Sequence, residues 1–385
     1  MKIFRNGLLA GIAAIAMTGA QLAHAAETIK VGVVVALSGG LGSYGTTLSD
    51  GIKLAVDEIN ASGGINGKMI ETFARDSQTK PDIASAAAKE LISKEGVVAL
   101  IGAVSSGVTL AMSEVAKQEK VPMIAPISRA TSITGDKLHK YIFQGIKNSD
   151  DEARDLVNIV KELGAKKVCL NGYDYAYTTE LFSVVKKELG DIPVTGEYIV
   201  KLGTTDFSTM ISQLQANECD TILGALFSGG FVAFAKQAAP FGLFKNKKAV
   251  WAASVAATEV TSQLKGDYPE GMWAGAFDFW YYDGSEAHKK FQAALAKLQG
   301  TKETGMYALN GYRTMYFLAE AMRKAGSTDP DAVVAALEGL TIDTPLGPVT
   351  MGAKSHRVDA AEFYGPVVTV PGSDVKQVNP IRLVK

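Results

Sequence analysis

The sequence alternates short, apolar, β-branched runs with longer segments whose apolar residues recur every three or four positions. Residues 29–37 (IKVGVVVAL) form a near-continuous apolar run, as expected for a strand covered on both faces. Residues 46–60 follow, with Leu48, Ile52 and Ile59 on one face of a predicted helix. Repetition of this unit predicts parallel sheets with right-handed crossovers and helices on both faces. The predicted fold class is therefore α/β.

Two such series follow one another, and they predict two lobes of similar construction. The first occupies residues 29–146 and the second residues 150–253. The chain has 385 residues, more than the ~250–300 at which single cores stop growing. We expect two doubly wound parallel-sheet lobes, with an irregular tail that returns to the first lobe and then to the second. The tail contains predicted strands at 271–277 and 362–370, helices at 285–298, 305–325 and 330–338, and a Pro/Gly-rich stretch at 344–352.

The first 25 residues predict where the protein works. Lys2 and Arg5 precede an uncharged, mostly apolar run at residues 7–19, and Ala23-His24-Ala25 is a small-x-small cleavage site. The apolar run is too short for a permanent membrane anchor. No cysteine lies near the cut, so no lipid attachment is expected there. We expect residues 1–25 to be a cleaved signal peptide and the mature protein to be periplasmic.

Charge and histidine spacing exclude several classes of function. Without residues 1–25, 37 basic residues (39 less Lys2 and Arg5) face 40 acidic ones, a formal charge of −3. This balance provides no basic surface for nucleic acid. The histidines outside the leader, His139, His288 and His356, show no metal-ligand spacing. We expect no metal, no cofactor and no nucleic-acid partner.

Two cysteines remain in the predicted oxidising compartment. Cys169 lies in a predicted strand, and Cys219 directly precedes another. The sequence favours buried free thiols, because it does not place the two Cα atoms within the ~4.4–6.8 Å that a disulfide needs. A disulfide between them is the alternative.

A glycine-rich loop follows the first strand. Gly40, Gly42 and Gly45 give a literal G-x-G-x-x-G between a strand and a helix. A dinucleotide site would also need an acid about 20 residues further on, and Asp76 comes 31 residues after Gly45. We therefore interpret the segment as a loop that brings Tyr44 to a cleft, with a surface aromatic as the alternative.

Ligands of open parallel sheets bind beyond the carboxyl ends of the strands, so the next two loops are candidates for an anion site. Ser105 and Ser106 open a predicted helix, where free N–H groups and hydroxyls favour a carboxylate. Either serine could instead be an N-cap only. Arg129 is the one basic residue in the cleft-side loops of the first series, and it could hold a carboxylate in bidentate fashion. The alternative is an exposed arginine or a structural ion pair.

The second series ends its strands in aromatic and small polar residues. Tyr173, Tyr175 and Tyr177 lie within five residues of each other, a pattern that suits stacking and hydroxyl bonding at a cleft. Phe227 and Ser254 follow later strands. The aromatic cluster at 277–282 is either core or packing around a crossover.

Several motifs together resemble the periplasmic solute-binding proteins of branched-chain amino-acid ABC importers, which have the two-lobed type I fold. They are Asp57-Glu58-Ile59-Asn60-Ala61-Ser62-Gly63-Gly64-Ile65-Asn66-Gly67, Gly102 with Ser105-Ser106, Pro122-Met123-Ile124-Ala125-Pro126, and the Asp-x-x-Tyr turn from Asp174 to Tyr177. The resemblance implies three crossovers, near residues 145–147, 275–278 and 361–363. It implies an N-terminal lobe of 26–146 plus 277–362 and a C-terminal lobe of 147–276 plus 363–385. The implied ligand-binding positions are Tyr44, Ser105, Ser106, Ile127, Ser128, Arg129, Tyr177, Phe227 and Ser254.

Two departures from the family pattern bear on the ligand. Amino-acid binders usually hold the ligand's ammonium with a carboxylate where this chain has Ser254, and usually have a threonine at Arg129. Loss of an acid and gain of a base favour a carboxylate ligand without a free α-ammonium, since a buried, unpaired ammonium is costly. Asp278 or Asp174 could replace the missing acid. The disulfide of the family's first lobe is also absent, because neither cysteine lies there.

The resemblance predicts a monomeric binding protein, not an enzyme, that closes on a small carboxylate and delivers it to an inner-membrane ABC permease. The candidates are a branched-chain or related amino acid, a 2-oxo acid or an aromatic acid. A ligand-sensing partner of a membrane receptor is one alternative. A secreted hydrolase is another, but Ser183 and Lys186 form an S-x-x-K without the K-T-G partner, and no G-x-S-x-G occurs.

Overall fold

A computed structural model describes residues 28–384, except for the side chains of Ala253 and Ser254. The chain forms two α/β lobes, each built on one central sheet with helices on its faces. The predicted signal peptide, residues 1–25, lies outside the described residues. Within 28–384 no helix has the length and apolarity needed to cross a membrane.

The strands and helices follow the alternation that the sequence predicts. The strands are β1 Ile29–Val35, β2 Ile70–Asp76, β3 Ala99–Ile101, β4 Met123–Ala125, β5 Ile142–Gln144, β6 Val168–Asp174, β7 Val194–Lys201, β8 Thr221–Gly224, β9 Lys248–Trp251, β10 Trp273–Ala276, β11 Thr341–Thr344, β12 Gly347–Thr350, β13 Glu362–Val368, β14 Gln377–Val378 and β15 Arg382–Val384. The helices are α1 Gly42–Ala61, α2 Pro81–Glu90, α3 Ser106–Glu119, α4 Ser149–Glu162, α5 Ala176–Glu188, α6 Ser208–Ala216, α7 Ser228–Ala238, α8 Leu243–Asn246, α9 Thr258–Leu264, α10 Glu286–Gln299, α11 Tyr307–Ala325 and α12 Pro330–Leu337.

The sheet of the first lobe is parallel throughout and has the order β2-β1-β3-β4-β5. Its interior strand β1 is buried on both faces: Val33 packs in one apolar cluster and Val34 in another. This double burial explains the continuous β-branched run, because neither face of the strand meets water. Strand order reverses at β1 and β3, the position at which doubly wound sheets open a crevice for ligands.

The sheet of the second lobe repeats this order as β7-β6-β8-β9-β10, again with parallel pairs. The tail then adds antiparallel strands, with β13 on β10 and both β14 and β15 on β13. Gly275 faces Tyr364 in this register, and the glycine leaves room for the tyrosine ring. The prediction of a doubly wound parallel sheet is therefore confirmed for β7-β6-β8-β9-β10, and the tail adds an antiparallel edge to it.

The chain passes between the lobes three times, after β5, after β10 and before β13, as the predicted fold class requires. Helix α11 packs along α1 of the first lobe at very short range: a Cβ on Gly51 would lie 1.8 Å from the carbonyl oxygen of Ala308. The tail therefore returns to the first lobe before β13 joins the second. The precise lobe boundaries given above stay a prediction.

The Pro/Gly-rich stretch at 344–352 lies largely in the β11–β12 hairpin. One local expectation is corrected. Cys169 and Cys219 are not free thiols but form a disulfide with a Cα–Cα distance of 5.7 Å. The bond forms because β6 and β8 are neighbours in the sheet, a pairing that strand prediction alone does not reveal.

Candidate ligand-binding site

A cleft between the two lobes lies at the carboxyl ends of the strands of both sheets. In this structure the cleft is narrow, with a cavity volume of about 60 Å³. Residues of both lobes line it, and most are aromatic or aliphatic. They are Leu41, Tyr44, Val104, Ser105, Ser106, Ile127, Arg129, Tyr175, Tyr177, Phe227 and Tyr307.

The start of α3 supplies hydrogen-bond donors to this cleft. Ser105 occupies the N-cap position, but its side chain makes no capping bond. Its Oγ lies 2.9 Å from Tyr175 Oη, and the Ser106 N–H also donates to Tyr175 Oη. The donors at this helix terminus are therefore met by a hydroxyl from the other lobe, at the position where an anion would accept them.

Arg129 combines a structural ion pair with a position on the cleft wall. Its side chain is 5% exposed, and its Nη2 donates to Glu362 Oε1 at 2.7 Å. Its Nη1 lies 3.3 Å from Glu152 Oε2, without the geometry of a hydrogen bond. The guanidinium also lies over the Phe277 ring at 4.7 Å. Arg129 therefore matches both interpretations, a structural ion pair and a cleft residue. It forms the ion pair, and its Nη1 keeps an N–H without a hydrogen-bond acceptor.

The ionisation of this cluster follows from burial and pairing. Burial alone would lower the pKa of Arg129, but Glu152 and Glu362 raise it, so the guanidinium stays charged. Burial raises the pKa of Glu362 to about 7, and Arg129 opposes that rise. Tyr177 donates its hydroxyl to Glu152 Oε2 at 2.7 Å, and burial raises the pKa of that phenol well above its usual value.

Aromatic side chains form the walls of the cleft. Tyr44 and Tyr307 pack with their ring centroids 4.3 Å apart. Phe227 and Tyr175 approach from the second lobe with their centroids 6.0 Å apart. Tyr44 is buried, and its hydroxyl lies near Tyr307 and Ser228. Walls of this kind suit a flat ring or a branched aliphatic group.

The glycine-rich loop has a packing role that explains its composition. A Cβ on Gly45 would lie 1.8 Å from the Ala36 carbonyl oxygen, so this position requires a glycine for α1 to approach β1. The Gly40 carbonyl accepts a hydrogen bond from Ser228 Oγ of the second lobe at 2.6 Å. The loop therefore both brings Tyr44 to the cleft and contacts the opposite lobe.

Most of the predicted positions meet at the cleft. Seven of the nine line it, namely Tyr44, Ser105, Ser106, Ile127, Arg129, Tyr177 and Phe227. Ser128 does not: it is 1% exposed and donates to the Ala103 carbonyl at 2.8 Å, so it braces the loop beneath the cleft. Ser254 lies in a short 3₁₀ turn, and its side chain is outside the described part of the structure.

Sequence reasoning missed four lining residues. Leu41 and Val104 carry no chemical signal beyond their loops. Tyr307 begins α11, deep in the irregular tail, where nothing in the sequence indicated a cleft. Tyr175 belonged to the recognised tyrosine cluster, but it was not separated from its neighbours. Its position directly before α5 was the available signal.

The acids proposed as substitutes for the missing carboxylate do not line the cleft. Asp278 is buried against His288, with Oδ1 2.7 Å from Nε2, and Asp174 is exposed at the end of β6. A different acid, Glu259, packs beside Thr47 with both carboxyl oxygens buried. Burial raises its pKa to about 7. Within residues 28–384, no group of His, Cys, Asp and Glu side chains is arranged to hold a metal ion.

Comparison with known families agrees with this architecture. Residues 28–368 match the family model described as periplasmic binding protein. The chain belongs to this family. Related proteins include the leucine-, isoleucine-, valine-, threonine- and alanine-binding protein of Pseudomonas aeruginosa, 28% identical over 87% of this chain and 89% of that protein. The Leu/Ile/Val-binding protein of Escherichia coli is 26% identical over 92% and 94% of the two chains.

Solved structures of similar fold are substrate-binding proteins of ABC transporters. A solute-binding protein from Rhodopseudomonas palustris, in complex with 3,4-dihydroxybenzoic acid, aligns with a TM-score of 0.83 and 25% identity over 91% of this chain and 96% of that one. LivJ of Streptococcus pneumoniae, in complex with isoleucine, aligns with a TM-score of 0.82 and 24% identity over 93% and 99%. This family member therefore shares its fold with proteins whose ligands include both amino acids and aromatic acids.

Proposed function

We propose that this periplasmic binding protein captures a small monocarboxylic acid without an α-ammonium group, such as an aromatic acid or a branched-chain 2-oxo acid. The carboxylate lies against Ser105 and Ser106 at the start of α3, within reach of Arg129. One observation carries this assignment: the buried Arg129 lines the same cleft as Ser105 and Ser106 at the start of α3.

The energetics favour an acid at this end of the cleft. Hydrogen bonds to a charged group contribute about 1.5–3 kcal/mol each, and the helix terminus adds up to about 1 kcal/mol. The body of the ligand lies between Tyr44, Tyr307 and Phe227, where apolar burial contributes roughly 25 cal/mol per Å².

The cleft lining disfavours an α-amino acid. None of the described lining residues carries a carboxylate. Glu152 and Glu362 lie on Arg129, so their charge already has a partner. A ligand ammonium would therefore lose water without gaining a counter-ion, at a cost of several kcal/mol. Leucine and related amino acids, which the names of several relatives mention, are the second candidates because the family includes such binders.

Closure follows from contacts that only adjacent lobes can make. Ser228 Oγ bonds to the Gly40 carbonyl, and Tyr175 bonds to Ser105 and Ser106 across the cleft. A ligand that touches both lobes stabilises the closed form by its greater affinity for it. The monomeric protein then presents the closed form to an inner-membrane ABC permease from the periplasm. A membrane receptor is the alternative recipient.

Calorimetry with matched ligands tests the proposal. We expect benzoate or 4-methyl-2-oxopentanoate to bind, and benzamide and leucine to bind at least 100-fold more weakly. Ser105→Ala should weaken acid binding about 10-fold, whereas Ser212→Ala, an exposed serine on α6, should leave it unchanged. Equal affinity for acid and amide, or tighter binding of leucine, would refute the acid assignment. Uptake of the labelled acid in a strain that lacks the gene separates transport from sensing.

A further inference from the structure

A second cavity lies behind the hinge, and it shares no lining residue with the interlobe cleft. Its volume is about 320 Å³, and it lies between the β11–β12 hairpin, the start of α10 and the strand β13. Ser285 lines it just after the second passage between the lobes, and Phe363 lines it just after the third. An occupant would therefore contact segments that bend when the lobes rotate.

A buried guanidinium borders this cavity without a direct ion pair, although Glu362 is near enough to raise its pKa. Arg313 of α11 is 5% exposed, and its Nη2 donates to the Gly145 carbonyl at 2.6 Å. Its Nε–H has no hydrogen-bond partner, and no described carboxylate oxygen lies within 4.0 Å of the group. Burial lowers its pKa to about 10, so it remains protonated at neutral pH. Buried charges are ordinarily paired, so this donor is incompletely satisfied.

The remaining lining defines the shape and charge of a suitable partner. Leu346, Val349 and Phe363 give the cavity an apolar wall, and the hydroxyls of Ser285 and Thr344 lie among them. Asp359 is exposed at the rim, and its negative charge disfavours ligands that carry two or more negative charges. A single carboxylate with an apolar body matches both features.

We propose that this hinge cavity is a second ligand site, which takes a small monocarboxylic acid with its carboxylate on the Arg313 guanidinium and its apolar body against the hairpin. The site shares no lining residue with the cleft, and the charges of Glu362 and Arg129 act on Arg313 from the side of the cleft. Its existence does not depend on which ligand the cleft selects.

Crystallography and binding stoichiometry with 4-iodobenzoate test this site. We expect an anomalous iodine peak in the hinge cavity, with the carboxylate beside Arg313 Nε, and no such peak with 4-iodobenzamide. In solution, equilibrium dialysis should show a hinge-site affinity that Arg313→Gln reduces at least 10-fold. Glutamine keeps an N–H donor for the Gly145 carbonyl and removes the charge.

A second variant tests the same site if Arg313→Gln is too unstable to measure. Val349→Trp fills the cavity from the half-exposed hairpin and leaves Arg313 in place, so it should abolish the hinge-site binding as well. Iodine density confined to the cleft would overturn the proposal. It would also be overturned by hinge density at crystal concentration only, or by solution binding that neither variant changes.

Discussion

Arg129→Met removes the charge that faces two buried carboxylates while it keeps the length and the apolar stem of the side chain. Glu152 and Glu362 are 0% and 1% exposed, so neither can exchange its partner for water. Removal of one partner of a buried ion pair costs about 3–5 kcal/mol. That is a large part of the roughly 5–15 kcal/mol by which domains are stable. We expect a loss of this size in the free energy of unfolding near pH 8.

The loss should shrink as the pH falls. The folded pKa of Glu362 is already raised to about 7 by burial against the opposing effect of Arg129, and the variant raises it further. A carboxyl group whose folded pKa exceeds its unfolded value of about 4.3 contributes stability that is fully present below the unfolded value. That contribution disappears as the pH rises through the folded value. The variant is therefore closest to wild type near pH 5 and furthest from it near pH 8.

Urea unfolding followed by circular dichroism at about pH 5, 6.5 and 8 measures both effects. The double variant Arg129→Met/Glu362→Gln should recover part of the loss, because it removes one of the uncompensated charges. Arg154→Met is the control, since that arginine is half-exposed on α4 and its ion pairs contribute at most about 1 kcal/mol. A loss below about 1 kcal/mol near pH 8, or an equal loss at all three pH values, would refute the reasoning.

Three further variants probe other parts of the molecule. Cys169→Ala/Cys219→Ala removes a crosslink between residues 50 apart, which contributes about 4 kcal/mol in the chain-entropy model. Urea unfolding should show a loss of about 2–4 kcal/mol in the free energy of unfolding, and the reduced wild type should show the same loss. Glu259→Gln should flatten the pH dependence of the free energy of unfolding. Between pH 5 and 8 the wild type should lose up to about 3 kcal/mol more than the variant, because the folded pKa of this acid is raised to about 7. Urea unfolding curves at both pH values check this. Gly51→Ala should cost about 3 kcal/mol by urea unfolding because its Cβ meets the backbone of α11, whereas Gly266→Ala, with open space around its Cβ, should change stability by less than about 0.5 kcal/mol.

The sequence predicts the two sheets well because their strands are signalled locally. Each central strand is buried on both faces, so its apolar run is unbroken, and each helix carries its own amphipathic period. The ends of the helices are predicted less well. Helix α1 begins at Gly42 and not at residue 46, because the end of the glycine-rich loop forms the first turn of the helix. The antiparallel edge of the second sheet is not predictable in the same way, since its short strands carry little pattern.

Site residues in a loop between a strand and a helix can be predicted from the sequence. Contacts between residues that are far apart along the chain cannot. Ser105 and Ser106 follow from their position between a strand and a helix. The partner of Arg129, Glu362, lies 233 residues away along the chain, and no local pattern connects them. The disulfide fails for the same reason, because it depends on which strands are neighbours.

The position of β13 affects how the molecule can be assembled. This strand begins at residue 362, yet it pairs with β10, and β15 at 382–384 completes the same edge. The second lobe therefore stays unfinished until residues 362–384 are available, after the helices of the other lobe have been synthesised. Truncations from the carboxyl terminus should expose an unpaired strand edge, which is prone to aggregation. A contiguous fragment that ends at β10 should fold poorly, whereas a version that joins β13–β15 directly to β10 should be a better isolated lobe.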